Sequence, residues 1–87
     1  MVFSMYVLDI PENLGIVEVS NEDSSLRVDR VGPYFRISIG SREYNPEISI
    51  DRRESGCRHA VWYSCVAGLA NAQIIQHDKD ALRVVAR

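Results

Sequence analysis

The chain has 87 residues, 46% hydrophobic and 25% charged, and its 12 acidic and 10 basic side chains leave a net charge of −2. This balance excludes a disordered or low-complexity chain and fits one small domain, 1–87, with a modest core. Acids and bases are interspersed, so no basic stripe exists to neutralise phosphates, and nucleic acid is disfavoured as a partner. No apolar run reaches the ~18 residues that a membrane span needs, and Met1 to Ile10 lacks a basic region and meets Asp9 early, so a cytoplasmic, non-membrane protein is expected.

Met1 to Ile10 is apolar on both alternating sets, Phe3, Met5 and Val7 against Val2, Tyr6 and Leu8, which predicts a strand with neighbours on both faces. A turn follows over Asp9 to Asn13. Ile16 to Ser20 sets Val17 and Val19 against Glu18 and reads as a short strand, and the polar run Asn21 to Ser25 joins it to the next. Leu26 to Val31 alternates Leu26 and Val28 with Arg27 and Asp29 and stops at Gly32-Pro33. Tyr34 to Ile39 carries the cleanest period of two, with Phe35, Ile37 and Ile39 inward. Its predicted hairpin partner is Ile48 to Ile50, across the loop Gly40 to Pro46. The outward sides hold Arg27, Asp29, Arg36, Glu47 and Asp51, where opposite charges can pair across strands.

Ser55 to Gln76 is different in kind, because no charged residue occurs from Ala60 to Gln76. At helical spacing Cys57, Val61, Cys65, Leu69 and Ala72 fall on one arc, widened by Trp62 and Val66, with Ser55 as N-cap and an end near Asn71. Such a helix would bury Trp62 and Leu69 against the sheet. Its other arc, Ala60, Tyr63, Ser64, Ala67 and Asn71, is small and uncharged where water would favour charge. That arc is therefore expected to be covered, either by a curled sheet of the same chain or, as the favoured reading, by a second copy or another protein. Gln73 to Gln76 then reads either as a strand that turns through His77 to Asp80 into Leu82 to Ala86 or as the continuation of the helix to Gln76. The fold class is α+β: a mostly antiparallel sheet of five to seven short strands with one main helix, about 55–71, packed across it.

The chemistry-bearing residues are few. Cys57, His59, Cys65 and His77 are the only thiols and imidazoles, and their spacing matches no zinc knuckle, so no metal or other cofactor is expected. Two cysteines eight apart on one helix would lie ~12 Å apart, beyond the reach of a disulfide, and read as small buried hydrophobes. A thiol site would take Cys57 near a helix N-terminus with His77 as base, yet no nucleophile elbow, phosphate loop or acidic pair accompanies it. Asp78-Lys79-Asp80 lacks the spaced oxygens of a calcium loop and reads as a turn. Tyr34, Phe35, Tyr44 and Arg36 could form a stacking platform for single-stranded nucleic acid, but Tyr34 and Phe35 point to opposite faces. The sequence thus favours a non-catalytic protein–protein interaction or regulatory module, a homodimer or small subunit. A small thiol-dependent enzyme using Cys57 and a nucleic-acid-binding domain are the alternatives.

Overall fold

The structure, a computed structural model, describes residues 3–39 and 47–87. Its strands are β1 (Ser4–Leu8), β2 (Leu26–Val31), β3 (Tyr34–Ile39), β4 (Glu47–Asp51), β5 (Val66–Ala70), β6 (Ala72–His77) and β7 (Ala81–Ala86). The helices are α1 (Leu14–Glu22), preceded by a 3-10 turn at Pro11–Asn13, α2 (Arg52–Ser55) and α3 (His59–Ser64). Seven antiparallel strands form two sheets, ordered β2-β3-β1-β5 and β4-β7-β6. This is the expected α+β class, mostly sheet.

β1 is interior because its odd-numbered set is wholly apolar. Met5 faces Ile37 of β3 on one side and Leu69 of β5 on the other. Phe3, Met5 and Val7 are buried, whereas Tyr6 on the opposite set is only partly covered. In the second sheet Ile48 and Ile50 of β4 and Leu82 and Val84 of β7 are fully buried, paired as Ile48 with Val84 and Ile50 with Leu82. α1 adds Ile16 and Val17, and α3 adds Trp62. All belong to one continuous core.

Two expectations about elements are overturned. Ile16 to Ser20 is part of α1, not a strand. Its alternation is only three residues long. The buried positions Ile16, Val17 and Ser20 instead follow the i, i+1, i+4 spacing of a helix face, and Pro11 sits in the first turn, where a missing amide costs nothing. The Ser20 hydroxyl donates back to the Ile16 carbonyl at 2.8 Å and so tolerates full burial. The run Asn21 to Ser25 accordingly links a helix to β2.

The helix expected over about 55–71 exists only as α3. Gly56, in the left-handed conformation with φ 66°, ends α2 and separates it from α3. After Ser64 the chain leaves the helix and Val66 to Ala70 joins β1 as β5. The local sequence Val-Ala-Gly-Leu-Ala carries a glycine that weakens a helix, and β1 offers an open ladder on that side. Trp62 is fully buried as expected, but Leu69 is 39% exposed. By register Leu69 lies on the face of Met5, but it stands on the outermost strand with nothing beyond it among the described residues.

The expected hairpin of Tyr34–Ile39 with Ile48–Ile50 is also replaced. β3 pairs with β2 across the two-residue turn Gly32-Pro33, and β4 pairs with β7 in the other sheet. A two-residue connection, with Gly32 at φ 59°, closes a hairpin at less entropic cost than the loop 40–46, which lies with Tyr44 outside the described residues. Across β2 and β3, Asp29 faces Arg36 and the two form an ion pair as expected, whereas Glu47 pairs with Arg83 of β7, a residue outside the expected set, and Asp51 caps α2.

One contact fixes how α1 meets α2. A Cβ at Gly15 would lie 1.9 Å from the Ser55 carbonyl oxygen, a backbone atom that cannot swing aside. Gly15→Ala should therefore destabilise by ~1–3 kcal/mol despite alanine's better helix propensity. Trp62→Ala should cost ~3–5 kcal/mol and Leu69→Ala under ~1.5 kcal/mol. Urea midpoints of the three variants check these values, and equal losses at Trp62 and Leu69 would contradict the docking described.

Candidate functional site

Cys57 lies between α2 and α3 and is half-buried, while Cys65 follows α3 and is buried. A cleft of about 490 Å³ opens beside Cys57, lined by Pro11, Glu12, Gly15, Ser55, Gly56, Cys57, Arg58 and Val61. His77, the base that a Cys57 thiol site would use, is not among these residues. Its ring instead packs edge-on to Trp62, with centroids 5.6 Å apart, and 5.4 Å from Tyr63. His77 Nε2 is 2.8 Å from the Trp62 carbonyl oxygen, and Trp62 Nε1 donates to the Asp78 carbonyl at 2.6 Å. These bonds tie α3 to the end of β6, a positioning role. Burial pushes the Cys65 thiol up to about 11, and the nearby Cys57 adds to the shift, so Cys65 is a poor nucleophile at neutral pH. Among the described residues no group of three histidine, cysteine, aspartate or glutamate side chains converges as metal ligands would. Among the described residues no helix is long and apolar enough to cross a membrane.

The β6–β7 turn is closed by Asp78, which accepts from the Asp80 and Ala81 amides at 2.9 and 3.1 Å. Those amides hold its carboxyl below the usual carboxylate range. Asp78-Lys79-Asp80 is thus a hydrogen-bonded turn. On the sheet, the Arg83 guanidinium donates through Nε and Nη2 to the two oxygens of Glu47 at 2.6 and 2.9 Å and lowers its pKa. Tyr34 faces outward and Phe35 inward by register, and Arg36 is engaged by Asp29, so these residues do not form a stacking platform.

The expected contact residues are all exposed, but not on one helical arc. Ala60, Tyr63 and Ser64 lie on α3, Ala67 on β5, and Asn71 alone joins β5 to β6 with φ 55°. The Ser64 hydroxyl donates to the Ala60 carbonyl at 2.8 Å and so is used within its own helix. Ala67 is the extra residue of a bulge against β1, since Gly68 faces Tyr6 and Val66 faces Val7.

The charge-free run takes a different form from the expected one. It forms α3 from Ala60 onward and then supplies β5 and, as far as Gln76, β6, which are outer strands of the two sheets. Each sheet therefore has one charged edge and one uncharged edge. β2 carries Arg27, Asp29 and Arg30 and β4 carries Glu47 and Asp51, whereas β5 and β6 carry no charged residue. Leu69 on β5 and Ile74 and Ile75 on β6 are large apolar side chains exposed by 39%, 38% and 50%. Leu69 was expected to be buried because residues 66–71 were assigned to a helix, and Ile74 and Ile75 were placed in a strand but not named as a contact surface. The signal that leads to them, seventeen residues from Ala60 to Gln76 without a charge, was available. No protein-family model, curated protein or solved structure matches the chain.

The Glu47–Arg83 pair gives a pH test. A carboxyl whose folded pKa is depressed contributes stability that is fully present above its unfolded pKa and lost as pH falls through the folded value. Stability should therefore decline as pH drops below about 4, and Glu47→Gln should flatten that decline. Denaturant midpoints between neutral and acid pH measure it, and parallel curves for the two proteins would contradict the assignment.

Proposed function

We propose that this chain is a non-catalytic protein–protein interaction module that associates with itself as a homodimer through the uncharged strip formed by β5 and β6. The observation that carries this reading is the contrast between edges within one molecule. Soluble proteins commonly guard sheet edges with charge, because an open ladder recruits any strand that meets it. β2 and β4 have that guard and β5 and β6 do not. Leu69, Ile74 and Ile75 are exposed aliphatic side chains within the unguarded pair, whereas among the described residues of the two charged edge strands only Val31, at the end of β2, is a large exposed aliphatic. A second copy is the commonest partner for a self-complementary surface, and a small domain gains stability from burying such a strip. Two free thiols fit a reducing compartment, and we take the protein to be cytoplasmic.

Sedimentation velocity over a range of concentrations tests the reading. The wild type should be a dimer at concentrations on the order of 100 µM, and Ile75→Lys should weaken association by about tenfold or more. Because Ile75 is half exposed in the single chain, the thermal midpoint of the variant should match that of the wild type at dilutions where both are monomeric. A wild type that stays monomeric throughout, or an Ile75→Lys and a Leu69→Lys variant that both associate as tightly as the wild type, would contradict it.

A further inference from the structure

We propose that the dimer forms by antiparallel pairing of β6 with β6 of a second copy, in the register that sets Gln73 against the partner's Gln76 and Ile74 against the partner's Ile75. The three-stranded sheet of each copy would then continue into a six-stranded one. This inference rests on the self-association proposed above and names its geometry.

When two identical antiparallel strands are related by a two-fold axis normal to the sheet, facing residues share a face and each residue keeps its face in both copies. Two positions that face each other across the seam must therefore lie on the same face of their own strand. The sequence Gln73-Ile74-Ile75-Gln76 is a palindrome. In a regular strand its two glutamines, three positions apart, would point to opposite faces and could not meet across such a seam. β6 is not regular. Its pairing with β7 shifts between Ile74 and Gln76, so that Gln73 faces Val85 and Gln76 faces Arg83. Val85 and Arg83 are two apart on β7 and share a face, so the extra residue brings both glutamines onto that face.

The ends of the seam obey the same condition. Ala72 faces Ala86 and His77 faces Leu82, again on one face of β7, so Ala72 is compatible with the partner's His77. The bulge thus supplies the symmetry that the palindrome needs. Gln76 already donates to Asp78 Oδ2 at 3.0 Å and accepts from Arg83 Nη1 at 3.4 Å, so a facing Gln73 amide would use its second N–H and second oxygen lone pair, while Ile74 and Ile75, the latter the extra residue of the bulge, bring exposed apolar surface to the centre. No like charges face each other anywhere along the seam, because β6 contains none. β5, the other uncharged edge, has a glycine at its centre that weakens pairing, and its bulge falls at Ala67, away from any palindrome.

Cysteine cross-linking reads the register directly. In a Cys57→Ser background, single variants Gln73→Cys and Gln76→Cys are oxidised separately and as an equimolar mixture. The mixture should yield a disulfide-linked dimer several-fold more efficiently than either variant alone. Identical positions in this register are offset by about three residues along the strand, roughly 10 Å, too far for a disulfide. If the wild type sediments as a dimer but the mixture cross-links no better than the single variants, the register is wrong, although self-association stands. A wild type that is monomeric overturns self-association and this geometry together. Ile75→Lys gives an independent reading, since a dimer that survives it unchanged while Leu69→Lys dissociates would move the seam to β5.

Discussion

The constraint on which the rest depends is the hydrogen-bonding demand of sheet edges. Two open sheets built from seven strands have four outer strands, and each presents backbone amides and carbonyls that must be bonded to water, side chains or another strand. The chain meets this demand unequally. β2 is charged, and its partner β3 contributes the Arg36 that pairs with Asp29; β4 brings Glu47 and Asp51, one held by Arg83 and the other capping α2 through the Glu54 amide. β5 and β6 follow one another through the single residue Asn71 and have only a bulge each to interrupt pairing. The unequal treatment is a property of sequence position. One contiguous run supplies both uncharged edges, so its composition bears on both sheets at once.

α3 connects this run to the core. Trp62 is the largest fully buried side chain, and its indole N–H reaches the Asp78 carbonyl beyond the end of β6. His77 completes the connection with a hydrogen bond to the Trp62 carbonyl and ring contacts to Trp62 and Tyr63. A buried indole without such a partner would cost free energy, so the position of β6 is set by the helix that precedes β5. The edge that the account assigns to a second copy is therefore held on a fixed support, while the residues it offers remain exposed.

The fold class and most strands were legible in the sequence because period two is local. Phe35, Ile37 and Ile39 announce β3, and Ile48 with Ile50 announces β4. What local pattern could not convey is which strands meet. The pairing of β4 with β7 and of β1 with β5 joins distant parts of the chain. α1 was hidden because Val17, Glu18 and Val19 imitate alternation over three residues, too short to outweigh the helical spacing of its buried set. The run 55–71 misled for the opposite reason. Its apolar residues satisfy a helical arc, yet β1 had an unpaired side, and tertiary pairing won over a helix with a central glycine. The missing charge does not depend on that assignment: the segment is uncharged whether it forms a helix face or two edge strands. The bulge that aligns Gln73 with Gln76 left no local trace beyond the palindrome, because a bulge is defined by the partner strand.

Amide hydrogen exchange at two protein concentrations, one below and one above the dissociation midpoint, tests the central claim most directly. Exchange reports local opening residue by residue and therefore separates one edge from another. The account predicts that amides within Gln73 to Gln76 gain protection as concentration rises, while those of β2, the charged edge of the other sheet, exchange at the same rate at both concentrations. Protection of β6 that does not change with concentration, in a protein whose sedimentation shows it associating over the same range, would contradict pairing at this edge.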